Sequence, residues 1–511
     1  MPKNNLLKNT LKLSFGIFIN KPIGFLRDVL QMRYFGLTSL GDAYVIAWRI
    51  PNVLRRIFSE GLMTNVLLPY LVKLKAEETE QILNEVITGI SILMQILVTL
   101  FCFLVAFNSR RIVFLLSPGA IDRVFFGAEM LQILIFFTFF TSLSSVLGVT
   151  VQLNKKFYVG PLSQFFLNIF FCIELFFSIK YNFSYKLLCL MITLNSFVII
   201  FVHLIAFYKN NFYFILPTKK SLKMSFIFLK KFFIAFGSSF LLEINMFAGL
   251  SFSSYLTPGL LSLFEYINAL IRLPLQICGS AVATTSQVDI GELVYAKRYE
   301  LLEKKVYRIF VFFLFISLVI TTAIFLFGKR FFILFFSLVG INNQYVLLSF
   351  QLFSLFSFLI FPALANKILL NIFYSFHSVF LPTIINFFLS VLSNFFLLIY
   401  VKEYGLYCII FSAVFFEFVR FFIFSVILYL NYGILIMRKE RRKPIKELVI
   451  LFSLFFILFF LFSFLMTFMT KNICFLFKYE IVNLVSFILS LFLYYSFFKK
   501  RTLACLKELK N

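Results

Sequence analysis

Apolar residues fill long stretches of this chain, each about the length that crosses a bilayer, separated by short polar or basic breaks. The stretches lie at about 8–35, 41–70, 83–107, 126–152, 158–180, 185–208, 225–255, 258–288, 305–328, 345–375, 379–401, 404–432, 447–469 and 477–498, roughly fourteen by the ~20-residue criterion. Each predicts an α-helix, because hydrocarbon offers no water to an unpaired backbone N–H or C=O. Most are apolar around the whole circumference, as helices surrounded by lipid and by other helices must be. After the sixth stretch comes a basic segment around 210–223, in which Pro217 breaks the helical pattern. It suggests two six-span bundles joined there, a known arrangement of membrane repeats. The expected domains are 1–215, 216–435, and 436–511 with the last two helices and a basic tail. The fold class is thus all-α, a polytopic membrane protein.

Composition narrows the function. The 511 residues are 61% hydrophobic and only 14% charged, with 80 phenylalanines. Soluble domains average about 45–50% apolar and about 25% charged, so a soluble enzyme is excluded. A net charge of +26 on a soluble chain would point to nucleic acid. Here the basic residues concentrate on one side of the spans, roughly threefold over the other, which makes that side cytoplasmic, places both termini there and leaves no nucleic-acid partner. The patches 219–231, 297–308, 438–446 and 499–510 read as topological anchors rather than specific lipid sites. The first run starts after Lys3, Lys8 and Lys12 and is interrupted by Lys21 and Arg27, unlike a cleavable signal peptide. The seven cysteines are scattered without a CxxC pair, and His203 and His377 stand apart, so no metal site is expected.

The informative residues are ionisable groups inside the apolar runs. Each costs at least about 2.5–3.5 kcal/mol at the bilayer centre and needs a partner or a wet cavity. They crowd the first two spans, where Lys21, Arg27, Arg33, Arg49, Arg55 and Arg56 outnumber Asp28, Asp42 and Glu60. A lipid-facing helix pair cannot carry that load, so these helices line a cation-rich cavity. Asp42, Arg49 and Arg56 are spaced by seven, with Asn52 between the arginines, and so lie along one helix face. Lys21 and Asp28 are also seven apart. Pro22, Gly24 and Pro51 are expected to bend the two helices. In the eighth span Glu265, Asn268 and Arg272 share a face ahead of Pro274, either as a self-neutralising pair or as a second part of the cavity. Arg33 and Glu60 fit snorkelling near helix ends, and Glu417 with Arg420 fits a structural pair. Glu243, Asn245, Lys367 and Asn394 are isolated polar groups that fit either a cavity or helix packing. Guanidinium forks suit the multidentate oxygens of phosphate or diphosphate. No GxxxxGK[ST], HExxH or GxSxG motif accompanies them, so the chemistry is binding and movement rather than catalysis.

Those same residues carry a resemblance. Gly24-Phe-Leu-Arg-Asp-Val29, Phe35-Gly36, Gly41-Asp42-Ala43, Arg49-Ile-Pro-Asn52 and Leu54-Arg-Arg-Ile-Phe-Ser-Glu-Gly61 resemble the N-terminal signature of the MurJ (MviN) lipid II flippase family. That family belongs to the multidrug/oligosaccharidyl-lipid/polysaccharide exporter superfamily. Weaker echoes follow in Ser117-Pro118-Gly119, in Leu153-Asn-Lys-Lys-Phe157 with Pro161 and Asn168, and in Lys367, Phe373-Tyr-Ser375 and Pro382.

The resemblance implies two six-helix lobes around a central cationic cavity, with two C-terminal helices flanking a groove for a polyprenyl tail. It implies translocation of lipid II, an undecaprenyl-diphosphate disaccharide-peptide, from the cytoplasmic to the periplasmic leaflet of the bacterial inner membrane by alternating access, alongside the cell-wall synthesis machinery. Arg27 and Arg55 match two essential cavity arginines, Lys21 stands where the family usually has a further Arg, and Asp42 matches an acidic position. The family's arginine of the eighth span aligns with Ala269, and Arg272, about 4.5 Å further along the helix, is expected to replace it. The substrate-binding set is therefore Lys21, Arg27, Asp28, Asp42, Arg49, Asn52, Arg55 and Arg272, with Glu265 and Asn268 as further cavity groups. No cofactor is expected; a monovalent cation is a candidate for resetting the cycle, with no site assigned. Two other readings stay open: a flippase for another polyprenyl-diphosphate glycan, and a non-transporting scaffold of envelope assembly.

Overall fold

A computed structural model describes residues 20–57, 63–154, 156–341, 343–376, 378 and 380–434. Glu60, the start of the first span, the last two expected spans and the basic tail lie outside the described residues, as do the side chains of Glu243 and Asn245. Apart from turns and the extended segment 212–218, the described part of the chain is helical. In order come α1 (20–35), α2 (Ser39–Ile57), α3 (Met63–Glu77), α4 (Glu80–Phe107), α5 (Ser109–Leu116), α6 (Ile121–Leu134), α7 (Phe137–Gln152), α8 (Val159–Tyr181) and α9 (Tyr185–Lys209). They continue as α10 (Lys219–Ser253), α11 (Leu260–Tyr295), α12 (Tyr299–Val339), a 3-10 turn (Asn343–Tyr345), α13 (Val346–Ser357), α14 (Ile360–Ser375) and α15 (Phe380–Tyr432).

Seven of these segments are long and apolar enough to cross a membrane among the described residues. Their outward faces carry large apolar side chains such as Leu100, Leu104, Phe107, Phe201, Phe395 and Leu430, each more than half exposed. That surface is stable only against hydrocarbon. Several predicted spans prove to be articulated. The run at 41–70 becomes α2 and α3, and the run at 126–152 breaks at 135–136 between α6 and α7. The two runs at 379–401 and 404–432 meet within α15 at Gly405, whose φ of 56° and ψ of −134° lie outside the helical region. Pro51 does not end its helix: α2 runs continuously through it.

The chain divides into two compact units. The first comprises 1–281, 333–352 and 383–413, and the second 282–332, 353–382 and 414–511. In the first unit α2 packs on α6, α7 and α8 pack on α9, and α4 packs on α10. Thr79 and Ser184 cap α4 and α9, their side chains accepting from Ile82 N and Leu187 N. The extended linker after α9 has no helix of its own to satisfy its amides. The α4 side chains do it instead: Tyr213 N donates to Asn84 Oδ1, Ile215 N to Thr88 Oγ1, and Thr218 N to Glu85 Oε2 at 3.3 Å, an oxygen that Thr218 Oγ1 also reaches at 2.7 Å. The burial of Asn84, Glu85 and Thr88 on α4 is thereby explained.

In the second unit α14 and α15 are joined by Asn366, whose Nδ2 donates to Glu417 Oε2 at 2.6 Å, while Arg420 pairs with Glu417. Phe421 packs on Phe310 and Phe361, and Phe373 on Phe424. Lys305 of α12 pairs with Asp289 of α11.

Candidate functional site

Within the first unit α1, α2, α8 and α11 surround a cavity of about 390 Å³. Its described lining holds Lys21, Arg27, Arg49, Arg55, Arg56 and Arg272 against Asp28 and Glu265. Five of the six cations come from α1 and α2, and the sixth, Arg272, from α11.

The polar side chains hold one another in place. Lys21 Nζ donates to Gln276 Oε1 at 2.5 Å. Arg27 donates through Nη2 to Asp28 Oδ1 at 2.6 Å and through Nη1 to Asn168 Oδ1 at 3.0 Å, and its guanidinium lies 5.6 Å from the centre of the Phe171 ring. Adjacent helix residues do not normally face each other; Arg27 and Asp28 meet because both turn into the cavity. Arg55 donates to Asn52 Oδ1 at 3.2 Å and to Gln164 Oε1 at 3.4 Å. Arg49 pairs with Glu265, and Arg272 Nη2 lies 3.7 Å from the other oxygen of that carboxylate. Arg27, Asp28 and Arg272 remain partly open, with side chains 27%, 27% and 39% exposed, whereas Arg49 is 9% exposed. The result is a set of planar cationic donors fixed by neutral amides and two carboxylates, an arrangement suited to a multidentate phosphate.

Seven of the eight substrate-binding residues expected from sequence line this cavity, as does Glu265; Asn268 is not in its lining. The α11 face turned to the cavity runs through Glu265, Ala269, Arg272 and Gln276, which puts Ala269 and Arg272 one turn apart on the same wall. Arg33 is exposed outside it.

Asp42 is a correction. Expected among the ligand-binding groups, it is fully buried away from the cavity, at the first turn of α2. Two helical turns, about 10.5 Å, separate it from Arg49, and at its level the turn leading into α11 covers it. Its oxygens are already engaged. Oδ2 accepts from Gly259 N at 2.8 Å and pairs with Arg123 Nη1 at 3.1 Å. Oδ1 accepts from Ser262 N at 2.8 Å and Ser262 Oγ at 2.6 Å. Asp42 thus caps the N-terminus of another helix, satisfying amides that α11 cannot satisfy itself. Arg123 extends the clamp by donating to Leu256 O at 2.9 Å.

Several lining residues escaped sequence reasoning: Gln164, Trp48, Tyr266 and Gln276; Arg56, placed on the cavity face from sequence but left out of the binding set, lines the cavity too. Gln164 and Asn168 carried a signal, two amides four apart on an apolar run. Arg123 carried none, since it sits at the edge of its run. Glu174, three residues beyond Phe171 on α8, has a buried Oε2 with no hydrogen-bond partner and was likewise unmarked.

Comparison with known proteins bears on this site. The family model described as "Lipid II flippase MurJ" matches residues 32–480. A protein of Buchnera aphidicola subsp. Schizaphis graminum, named "Probable lipid II flippase MurJ", is 28% identical over 415 residues, 79% of this chain and 80% of its own length. A Thermosipho africanus protein named "Lipid II flippase MurJ" is 29% identical over 215 residues, 41% of this chain and 43% of its own. Among solved structures, "Lipid II flippase MurJ, inward closed conformation" superposes with a TM-score of 0.78 at 18% identity, covering 96% of this chain and 99% of that one. An inward-facing multidrug resistance MATE transporter of the MOP superfamily reaches 0.66 at 14% identity, covering 81% and 95%.

Proposed function

This chain belongs to the lipid II flippase MurJ family, and from that premise we propose that it carries lipid II from the cytoplasmic to the periplasmic leaflet of the bacterial cytoplasmic membrane. The observation that carries the reading is the cavity of α1, α2, α8 and α11, whose lining sets six cationic side chains against two carboxylates. In this reading the diphosphate of the ligand is held by Arg27, Arg55 and the arginines of α2 and α11, while the polyprenyl tail stays in lipid. Amides such as Asn168 and Gln164 orient the guanidinium planes, which favours two-pronged contacts over a diffuse field. Asp28 and Glu265 offset two of those six charges and leave a surplus of four for an anionic ligand to neutralise.

Movement follows alternating access. An anionic head travelling outward is favoured by an inside-negative potential, by about 2.3 kcal/mol per charge per 100 mV. Both termini lie on the cytoplasmic side in this reading, supported by the basic segments at 219–231, 297–308 and 499–510. The protein moves its ligand without bond chemistry, a monovalent cation resets the cycle, and the exported precursor passes to the cell-wall synthesis machinery.

The test is rescue of a bacterium depleted of its own lipid II flippase, reading precursor exposed on the outer leaflet. Wild type restores exposure and Arg27→Ala does not. Rescue by both variants removes the cavity from the mechanism; rescue by neither, with membrane insertion verified, moves the substrate to another polyprenyl-diphosphate glycan or the role to a scaffold.

A further inference from the structure

Glu265 stands in the wall of a cavity otherwise suited to anions. Its carboxylate accepts from Arg49, and its second oxygen lies 3.7 Å from Arg272 Nη2. It therefore occupies, in the unloaded cavity, two of the cations a phosphate ligand would use. The partners are unequal. Arg49 is almost buried, with Nε enclosed and lacking any hydrogen-bond partner, whereas Arg272 is 39% exposed and reaches Glu265 only loosely.

We propose that Glu265 is a resident counter-anion that diphosphate displaces, and that this competition sets the ligand's minimum charge; the inference rests on the diphosphate reading of the cavity. A carboxylate is a monoanion with one two-oxygen face. A monoanionic ligand meeting this wall exchanges one carboxylate for another and gains nothing. A diphosphate carries at least two charges and more acceptor oxygens at close spacing, so it outcompetes Glu265 at Arg272 first and then at Arg49. Once displaced, the carboxylate faces the bound anion at close range, and their repulsion raises the energy of the loaded state and speeds release. After release it returns to the two arginines, so the empty cavity moves back with one more of its cations compensated. Glu265 trades affinity for turnover, and a cavity without it binds more tightly and cycles more slowly.

Trp48 makes this measurable, since it lines the cavity and is the sole tryptophan of the chain. The experiment titrates purified full-length protein in nanodiscs of neutral lipid with inorganic pyrophosphate and, separately, inorganic phosphate, following Trp48 fluorescence. Glu265→Gln is expected to bind pyrophosphate about tenfold more tightly than wild type and to narrow the preference for pyrophosphate over phosphate. Arg272→Gln weakens pyrophosphate binding, and more so in the Glu265→Gln background, where Arg272 is no longer shared. Glu265→Asp keeps the charge but shortens its reach, so it shifts affinity in the same direction by less and carries the test should the glutamine variant misfold. Wild-type binding with no gain in Glu265→Gln or Glu265→Asp overturns the inference and leaves Glu265 as a support for Arg49. No saturable response in wild type or any variant overturns the diphosphate reading of the cavity itself, and this inference with it.

Discussion

Charged residues within one apolar helix have two different fates here, and Asp42 and Arg49 illustrate both. They are seven apart on α2, so periodicity sets them on one face, yet Arg49 opens onto the cavity wall and Asp42 is sealed. Asp42 accepts three hydrogen bonds from the start of α11 and pairs with Arg123, itself 3% exposed. Breaking a buried pair by removing one partner leaves an uncompensated charge and costs about 3–5 kcal/mol. Asp42→Ala is accordingly expected to lower the thermal unfolding midpoint in detergent sharply, and Arg123→Ala nearly as much. The double variant should lose less than the sum of the two, because the same interaction is removed only once. Asp42→Asn, which keeps the shape and one acceptor, should fall between. Asp42 was legible in sequence as an important group but not as a cap, since its partners lie more than two hundred residues away.

At the level of elements, hydropathy locates most spans and some of their joints. A run of apolar residues looks the same whether one helix or two traverses it, so the break at 135–136 leaves no mark, whereas the joint at Gly405 in α15 falls where the runs at 379–401 and 404–432 were already divided. The amphipathic α5 is too short to read as a span and was not foreseen. The junction of α1 and α2 with the turn before α11 depends on Gly259. Its φ is +88°, and a Cβ there would sit 2.4 Å from Leu37 O. Gly259→Ala combines a left-handed conformation that L-residues avoid with a backbone clash, and strain of that kind costs about 1–3 kcal/mol. The expected outcome is a destabilised protein with lowered transport, measured by thermal unfolding and by rescue side by side. Gly405→Ala, whose nearest neighbour to a new Cβ is the flexible Leu256 Cδ2 at 3.7 Å, should cost mainly the backbone strain.

For the molecule as a whole, the basic bias of alternate loops predicts a topology that labelling can read. Tyr181 closes α8 and Tyr295 closes α11, and both are exposed at 56% and 93%. In a cysteine-free background, Tyr181→Cys should react with a membrane-impermeant maleimide in intact spheroplasts. Tyr295→Cys should react only after the membrane is opened. Reversed labelling would invert the orientation, and with it the direction in which the potential drives an anionic head.

What the sequence by itself determined is the solvent and the load. Sixty-one per cent hydrophobic residues in spanning runs require an all-α membrane protein, and the charges gathered in the first two spans require a wet cavity. The run from Gly24 to Gly61 also marked the family. What only the tertiary structure decided is which charge meets which. Helical periodicity assigns a side chain to a face but says nothing of what stands opposite, and in this protein the answers come from distant segments. Glu265 lies opposite Arg49 across 216 positions, Asn168 opposite Arg27 across 141, and Gly259 opposite Asp42 across 217. An ion pair's strength depends on separation and burial in space. The difference between a carboxylate that clamps two helices and one that lines a cavity wall therefore exists only once the helices have packed.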